Sequence, residues 1–397
     1  MISVHEAEES ISRLGGSYPS VAVPLSEAGG HVLRERIVAD RDQPPFDRVC
    51  MDGIGIRFAD WESACRDFAV ASTQFAGEPP HCLQLPQACI EVMTGAVMPV
   101  GCDCIIPYEL VEIAAGMARV AEDASPQAGQ HIHVQGSDAT AGDTVLRAGG
   151  RLRSPQIAVL AAMAYANVQV DRRPRIAVIA TGDELVPVDG PVEPHQIRMS
   201  NVVALRGALL RLGHKADAFH LPDDEESLRH ELDGILDSHD LLVLSGGVSK
   251  GKRDYVPSVL ADLGVAVAFH GVAQRPGKPF WFGHSERGLV FALPGNPVST
   301  LTCFHRYVLP HLRRAAGDHA STEAVAILSE AVRFDRPMTL FMPVQLSTNA
   351  RGELLAIPRA TQGSGDFTSL ATTDGFVELG AEQGEFPAGT LVRLFRW

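Results

Sequence analysis

The chain has 397 residues, 45% of them hydrophobic and 21% charged, which is the composition of a folded protein with several domains and an ample core. Its net charge of −14 argues against nucleic acid or an anionic membrane surface as a partner, but a small anion could still bind where basic groups gather. The seven cysteines are odd in number and contain no Cys-x-x-Cys pair, so neither a disulfide framework nor a zinc finger is indicated. The acidic start is unlike a signal peptide, and no apolar run is long enough to span a bilayer, so we expect a cytoplasmic protein.

The chain is predicted to begin with a short amphipathic helix. Apolar residues recur at helical spacing over residues 3–14, and Ser3 with Glu6 forms a capping-box pattern. A second, apolar helix is predicted near residues 154–164, and we expect it to return and pack with residues 1–40. Residues 1–47 and 134–171 would then form one elongated N-terminal domain.

Two stretches have a β-rich character, with short alternating apolar segments divided by glycine and proline. Residues 48–133 are predicted to form an inserted β-rich domain, with strands at His81–Leu85, Cys89–Thr94 and Met117–Val120 among others. Residues 321–397 are predicted to form a small C-terminal β-barrel-like domain by the same pattern.

Residues 172–320 alternate regularly between strand, loop and helix, which predicts a doubly wound parallel α/β sheet. The expected strands are Ile176–Ala180, Ala216–His220, Leu241–Leu244, Val265–Phe269 and Gly288–Leu293. Asp223 with Glu226 is predicted to cap the helix that follows the second strand.

Loops that follow the strands of a parallel sheet lie on one edge, where ligands bind. They are Thr181–Glu184, Pro222–Asp224, Ser245–Asp254, Arg275–Lys278 and Pro294–Pro297. Each could be no more than a helix cap or a rigid turn. Together they place carboxylates beside glycine-rich turns and basic side chains, which predicts a phosphorylated ligand bridged by Mg²⁺.

Six ordered motifs then resemble a known family. They are Pro45-Phe46-Asp47 with Met51-Asp52-Gly53, Thr94-Gly95-Ala96 with Pro99 and Gly101, Thr181-Gly182-Asp183-Glu184-Leu185, Ser245-Gly246-Gly247-Val248-Ser249, Pro276-Gly277-Lys278-Pro279 and Leu293-Pro294-Gly295-Asn296-Pro297. The chain is identified by them as similar to the molybdopterin molybdenumtransferases, the MoeA family, to which the plant and gephyrin E domains are related.

The resemblance implies a four-domain homodimer whose site is shared between subunits. The reaction would take adenylylated molybdopterin and molybdate, insert molybdenum and release AMP, with Mg²⁺ assisting. The implied catalytic residues are Asp52, Glu184, Asp254 and Lys278, with Glu184 and Asp254 on the metal. The implied substrate-binding residues are Thr94, Asp138, Thr181, Gly182, Asp224, Ser245, Gly246, Gly247, Ser249, Arg275, Pro294, Gly295, Asn296, Pro297, Arg359 and Ser369.

Some points stay open at this level. The role of Asp52 lies between substrate orientation and metal contact, and either Asp223 or Asp224 could be the functional carboxylate. Val49, Ile54 and Met199 depart from the family pattern, so the preferred oxyanion could be molybdate or tungstate. Two alternative functions remain for the chain, a molybdopterin adenylyltransferase and a non-catalytic pterin carrier. A separate molybdopterin adenylyltransferase is also a possible partner that delivers the pterin.

Overall fold

The computed structural model describes residues 1–248, 254–318 and 324–397. The chain divides into two compact units. The first contains residues 1–34, 149–153 and 168–397, and the second contains residues 35–148 and 154–167. The apolar helix Ser154–Ala162 therefore belongs with residues 35–148 rather than with the first 34 residues. The four-domain division remains a prediction.

The first helix, Val4–Gly15, begins as the sequence predicts. The N–H of Ser3 donates to Oε2 of Glu6 over 2.7 Å, and the N–H of Glu6 donates to Oγ of Ser3 over 3.2 Å. These two bonds satisfy amide groups that a helix start otherwise leaves without partners. The helix buries Val4, Ala7 and Ile11 in the core of the first unit.

A six-stranded sheet forms the centre of the first unit. In spatial order its strands are Ala216–Leu221, Ile176–Thr181, Leu241–Ser245, Gly288–Leu293, Trp281–Ser285 and Ala266–His270. The first four run parallel, and apolar residues of the central strands are buried on both faces. Helices Ser200–Arg211, Glu225–Ser238 and Val256–Asp262 pack on this sheet. So does a continuous helical segment made of Pro297–Cys303, a π-helical turn Phe304–Val308 and Leu309–Ala315.

The sheet differs from the prediction in one strand. Trp281–Ser285 is antiparallel to both of its neighbours, so the sheet is mixed rather than wholly parallel. Only two residues join this strand to Gly288–Leu293, and so short a connection permits a hairpin but not a parallel crossover.

The predicted Asp223–Glu226 cap is wrong by one residue. Asp224 is the residue that caps helix Glu225–Ser238, because its Oδ2 accepts the N–H of Ser227 over 2.9 Å. This shift places Asp223 in the loop after its strand, where it lines the main cavity.

The C-terminal part of the first unit is a small closed barrel, which confirms the predicted fold class. Its strands close in the order Thr339–Thr348, Leu354–Pro358, Ala324–Leu328, Leu391–Arg396, Gly375–Leu379 and back to Thr339–Thr348. A short strand from the central domain, Gln274–Arg275, joins the barrel sheet by pairing with Thr339 and Leu340.

Three two-stranded sheets lie outside the two larger sheets described so far. They are Val332–Arg333 with Glu385–Phe386, Leu185–Val186 with Ile197–Arg198, and Ser20–Pro24 with Asn167–Asp171.

The second unit is built on a six-stranded sheet. Its strands in spatial order are Cys104–Pro107, Gly53–Ile56, Ala88–Val92, Asp67–Gln74, Met117–Val120 and Val111–Ala114. It also contains helix Phe58–Glu62 and the strand pairs Arg48–Val49 with Ile132–His133 and Ile37–Val38 with Thr144–Leu146. The strand expected at His81–Leu85 is reduced to one bridge between Cys82 and Val100. In the described ranges, no helix is both long and apolar enough to cross a bilayer.

Candidate active site

A cavity of about 1060 Å³ lies at the edge of the central sheet where its parallel strands end. It brings together thirteen of the predicted site residues, which come from four separate loops, and Asp223 from a fifth loop also lines it. The thirteen are Thr181, Gly182, Glu184, Ser245, Gly246, Gly247, Asp254, Arg275, Lys278, Pro294, Gly295, Asn296 and Pro297.

The glycine loop after strand Leu241–Ser245 requires its glycines. Gly246 has φ +110°, and a Cβ there would lie 2.7 Å from Oγ1 and 2.8 Å from the carbonyl oxygen of Thr181. The carbonyl belongs to a buried strand and cannot move aside, so only glycine fits. The loop backbone therefore packs directly on the neighbouring strand end and forms part of the cavity wall.

Thr181 adds an unsatisfied polar group to that wall. Its side chain is buried, and among the described residues its Oγ1 has no hydrogen-bond partner. A buried hydroxyl without a partner is unfavourable by about 1–3 kcal/mol. The backbone of Gly246 and Gly247 covers this oxygen, since a Cβ at either position would lie 2.7 Å or 3.0 Å from it.

Asn201 holds two of the loops together, and it was not among the predicted site residues. Its Nδ2 donates to Oγ of Ser245 and to the carbonyl oxygen of Gly295, both over 2.8 Å, and lies 3.2 Å from Oγ1 of Thr300. Thr300 in turn donates to the carbonyl oxygen of Pro294. One amide thus fixes the Ser245 and Pro294–Pro297 loops relative to each other.

The basic turn of the cavity rests on a buried amide. Gln274 is 1% exposed, and its Nε2 donates to the carbonyl oxygen of Gly277 over 3.0 Å. The hydroxyl of Tyr307 donates to Oε1 of the same side chain, which fixes the amide orientation. The turn that carries Arg275 and Lys278 is therefore held by Gln274, the residue just before it, and through Gln274 by Tyr307 of the π-helical turn.

Carboxylates also line the cavity, from Glu184, Asp223 and Asp254. Burial raises the pKa of Asp223, and the negative charges of Asp183, Glu184 and Asp254 raise it further. Oδ1 of Asp183 accepts the N–H of Asp223 over 3.2 Å. The described part of the chain contains no cluster of three or more His, Cys, Asp or Glu side chains able to hold a metal on its own.

Three arginines that sequence reasoning missed also line the cavity, two from the C-terminal part and one from the central domain. Arg333 and Arg336 line the cavity beside Phe334, and Arg198 lines it from the segment after strand Leu185–Val186. None of them follows a strand of the central sheet, so the rule that predicted the five loops could not find them. The cavity therefore has more positive charge than Arg275 and Lys278 alone provide.

Three described residues of the first unit that were predicted for the site do not line this cavity. Asp224 is the helix cap described above, Arg359 donates to Oε1 of Gln345 over 2.6 Å, and Oγ of Ser369 donates to Asp366. Ser249 lies outside the described residues. Of the two carboxylates left open by the sequence, the structure brings Asp223 rather than Asp224 to the cavity.

The remaining predicted residues lie in the second unit. Oδ1 of Asp52 accepts both the N–H and the hydroxyl of Thr94 over 2.7 Å. These bonds lower the pKa of Asp52, and the bond from the N–H has the larger effect.

Asp138 belongs to a different group of contacts. Arg48 lies 2.9 Å from Nδ1 of His133, which must accept, so Nε2 of His133 carries the proton and donates to Asp138 over 2.9 Å.

Comparison with known proteins identifies the fold. Residues 2–164 match the MoeA N-terminal region (domain I and II), residues 177–314 a probable molybdopterin binding domain, and residues 325–396 the MoeA C-terminal region (domain IV). The fold and the cavity thus define a multidomain protein of the class that carries a molybdopterin-binding domain.

Full-length relatives narrow this class. The chain is 38% identical over 401 residues to the molybdopterin molybdenumtransferase of Synechocystis sp., covering 100% of both chains. It is 32% identical to the Haemophilus influenzae molybdopterin molybdenumtransferase, covering 93% of this chain and 92% of the relative. A solved MoeA protein from Pyrococcus horikoshii superposes with a TM-score of 0.81 at 32% identity, covering 100% of this chain and 99% of that one. The chain belongs to the MoeA family.

Proposed function

We propose that the protein inserts molybdenum from molybdate into adenylylated molybdopterin and releases AMP. It is then a molybdopterin molybdenumtransferase acting in molybdenum cofactor biosynthesis. Relatives of this name match the chain over its whole length, which supports the assignment. The observation that carries it is one cavity of about 1060 Å³ in which five sheet-edge loops gather glycine backbone, cations and carboxylates.

The cavity suits both substrates by charge and size. A phosphorylated pterin and a molybdate dianion need cationic and N–H donors, and Arg275 and Lys278 on one turn provide two of the cations. A volume of this size is adequate for a nucleotide-linked ligand.

Mg²⁺ is part of the proposal, and the carboxylates of the cavity fit it. The carboxylates of Asp183, Glu184 and Asp254 are close enough to raise the pKa of Asp223, so they create a local negative potential that a cation would relieve. Mg²⁺ is usually held by one or two carboxylates together with substrate phosphates and water, so a larger protein cluster is not required. Glu184 and Asp254 would hold the ion, which when bound would neutralise charge on the phosphoanhydride.

The residues of the chain then have separate roles. The Gly246 and Gly247 backbone lies against the pterin phosphate, where a side chain would block the approach. Lys278 and Arg275 bind the oxyanion and hold it beside the dithiolene. Asp223, with its raised pKa, is placed to exchange a proton with the water that cleaves the phosphoanhydride bond as AMP leaves.

The test is AMP release from adenylylated molybdopterin with molybdate and Mg²⁺. We expect Glu184→Gln, Asp254→Asn and Lys278→Gln each to lower the rate by about 10²-fold or more, because each removes a charge aimed at the reacting groups. Asp262→Asn is the matched control, since Asp262 pairs with Arg229 on the surface and does not line the cavity. Rates within twofold of wild type in all three cavity variants would reject the proposal.

A cytoplasmic homodimer with a shared site also belongs to the proposal, as the family resemblance implies. Asp52 of one subunit would complete the site that contains Asp254 of the other. Mixing the Asp52→Asn and Asp254→Asn proteins should then restore about a quarter of wild-type activity, because random exchange gives half mixed dimers with one intact site each. No recovery after subunit exchange, verified by mass spectrometry, would rule out sharing.

A further inference from the structure

A second cavity, of about 450 Å³, lies in the first unit between the helical segment 297–315 and the barrel. Among the described residues, its lining contains six arginines and two acidic side chains, Glu8 and Asp318. The arginines are Arg211, Arg306, Arg313, Arg314, Arg393 and Arg396. The chain has a net charge of −14, so its overall composition does not explain why six guanidinium groups gather in one cavity.

Arg306 forms the buried part of this cavity. It is 1% exposed, its Nε donates to Oε2 of Glu378 and its Nη2 donates to Oε2 of Glu8, both over 2.7 Å. Arg393 shares the same two carboxylates at 3.6 Å and 3.7 Å. Two carboxylates thus neutralise two guanidinium groups. Among the described residues, Nη1 of Arg306 has no hydrogen-bond partner, so one donor of a buried guanidinium is left over.

Among the described residues, guanidinium groups outnumber carboxylates in the lining of this cavity. Arg211 donates to the main-chain oxygen of Trp397 over 2.7 Å, which offers no full ion pair. The carboxylate of Asp318 is bound by Arg151 over 3.0 Å. Within residues 1–248, 254–318 and 324–397, no ion pair is formed by Arg313, Arg314 or Arg396.

Two groups in the lining have pKa values lowered mainly by burial. The pKa of Arg313 is lowered by desolvation and then by the charge of Arg151. Burial lowers the pKa of His305 to about 4, and repulsion from Arg211 and Arg313 acts in the same direction. His305 is therefore neutral near pH 7, and its Nδ1 donates to the carbonyl oxygen of Arg396 over 2.8 Å. The excess charge of the cavity comes from the arginines alone.

We propose that this cavity binds a small anion that carries phosphate or carboxylate groups. The spare donor of Arg306 would bind it at the base, and the guanidinium groups of Arg313 and Arg396 would bind it at the rim with the bidentate geometry that suits either group. Its volume fits a small ligand rather than a folded segment of a macromolecule. The site is separate from the candidate active site and does not depend on the proposed function.

The test is calorimetric titration of the full chain with inorganic phosphate, pyrophosphate and citrate, at constant ionic strength in chloride buffer. We expect saturable binding that the Arg313→Gln/Arg396→Gln double variant weakens at least tenfold. Lys278→Gln, which removes a cation from the other cavity, should leave this binding within twofold. The Arg13→Gln/Arg351→Gln variant changes the net charge equally at exposed positions and should also bind normally. Tighter binding of phosphate than of citrate assigns the site to phosphate esters, and the reverse order assigns it to carboxylates.

Three results would overturn the proposal. They are the absence of saturable binding for all three anions, equal weakening in the rim and surface double variants, and loss of binding in Lys278→Gln alone. Thermal unfolding of each variant followed by circular dichroism checks the fold, and the rim double variant leaves the buried Arg306 pairs intact. If that variant were unstable, Arg314→Gln, which removes a single exposed rim charge, should still weaken binding about threefold or more, and its failure to do so would count against the site.

Discussion

The side-chain amide of Asn201 donates a hydrogen bond to Oγ of Ser245 over 2.8 Å, although 44 residues separate them in the chain. Ser245 ends a central strand, whereas Asn201 lies in the first turn of helix Ser200–Arg211. Because the same Nδ2 also donates to the carbonyl oxygen of Gly295, this helix end fixes the geometry of two loops that face the main cavity.

We therefore expect Asn201→Ala to lower kcat/KM for AMP release by about 10–100-fold, since buried hydrogen-bond partners left unsatisfied correspond to about 1–3 kcal/mol. Steady-state kinetics with varied molybdopterin substrate measure the effect. Val203→Ala, at an exposed position on the same helix, is the control and should change kcat/KM by less than twofold. An unchanged Asn201→Ala enzyme would show that the two loops hold their geometry without this amide.

Tyr307→Phe should separate binding of the oxyanion from overall stability. The variant removes the hydroxyl that holds the buried amide of Gln274, so the carbonyl of Gly277 loses a well-oriented donor and the turn with Lys278 loosens. We expect KM for molybdate to rise about tenfold with kcat less affected. A fall in thermal stability with an unchanged KM would mean that Tyr307 acts only in the core.

Gly246→Ala should abolish activity, whereas Gly207→Ala should stabilise the protein. The new Cβ at position 246 would lie 2.7–2.8 Å from Thr181 at φ +110°, and part of the contact is backbone. A Cβ at position 207, inside a helix, meets nothing within 4 Å, and alanine there is favoured over glycine by about 0.5–1 kcal/mol. Activity and thermal unfolding measured on both variants provide the check, and full activity in Gly246→Ala would contradict the geometry.

Asp223→Asn should raise thermal stability at pH 7 while lowering activity. The pKa of Asp223 is raised in the folded state, so the native chain binds more protons than the unfolded chain just above pH 3.8, and stability falls as pH rises through that window. Removing the charge relieves its burial penalty and its repulsion from Asp183, Glu184 and Asp254. We therefore expect the melting temperature to rise by about 1 °C or more at pH 7, and the rise to disappear at pH 3. An equal effect at both pH values would show that repulsion is not the cause. Added Mg²⁺ should stabilise the wild type more than the variant.

His311→Phe should make the first unit less sensitive to acid. Burial lowers the pKa of His311 to about 4, and Arg314 contributes, so the neutral ring is favoured in the fold. The stability that depends on this group is present above pH 6.5 and is lost as pH falls towards 4, because the unfolded chain takes up the proton first. Between pH 6.5 and pH 5 the wild type should lose about 2 kcal/mol more than the variant, because His214 and His305, whose pKa values are also lowered to about 4, contribute equally in both proteins. Urea unfolding at the two pH values measures it, and equal losses in both proteins would contradict the assignment.

The sequence was sufficient for the features that follow from local pattern and parallel-sheet geometry. Strand–loop–helix alternation placed Thr181, Ser245, Lys278 and Pro294 on one edge, and all of them line one cavity. The capping box of Ser3 was equally local. The error at Asp223 has a local cause as well, since two adjacent aspartates offer alternative caps and only the backbone decides between them.

What the sequence did not yield depends on contacts between distant segments. Arg333 and Arg336 reach the cavity because the barrel packs beside the central sheet within the first unit, and no periodicity reports that packing. Gln274 resembles an ordinary polar loop residue, yet it is buried beneath the turn it supports. The strand Trp281–Ser285 was hidden because its hairpin partner, rather than its own pattern, determines its direction.

The pairing of Arg275 with Leu340 has a consequence for the order in which the protein matures. The strand containing Arg275 gains its ladder partner only when a segment 65 positions later in the chain has been made, as the two residue numbers show. During synthesis, the central sheet can therefore assemble before the cationic turn acquires its final shape. A nascent chain stalled ahead of the barrel would have the glycine loops but an incomplete cationic turn, so the main cavity would be complete only after translation has passed the barrel strands.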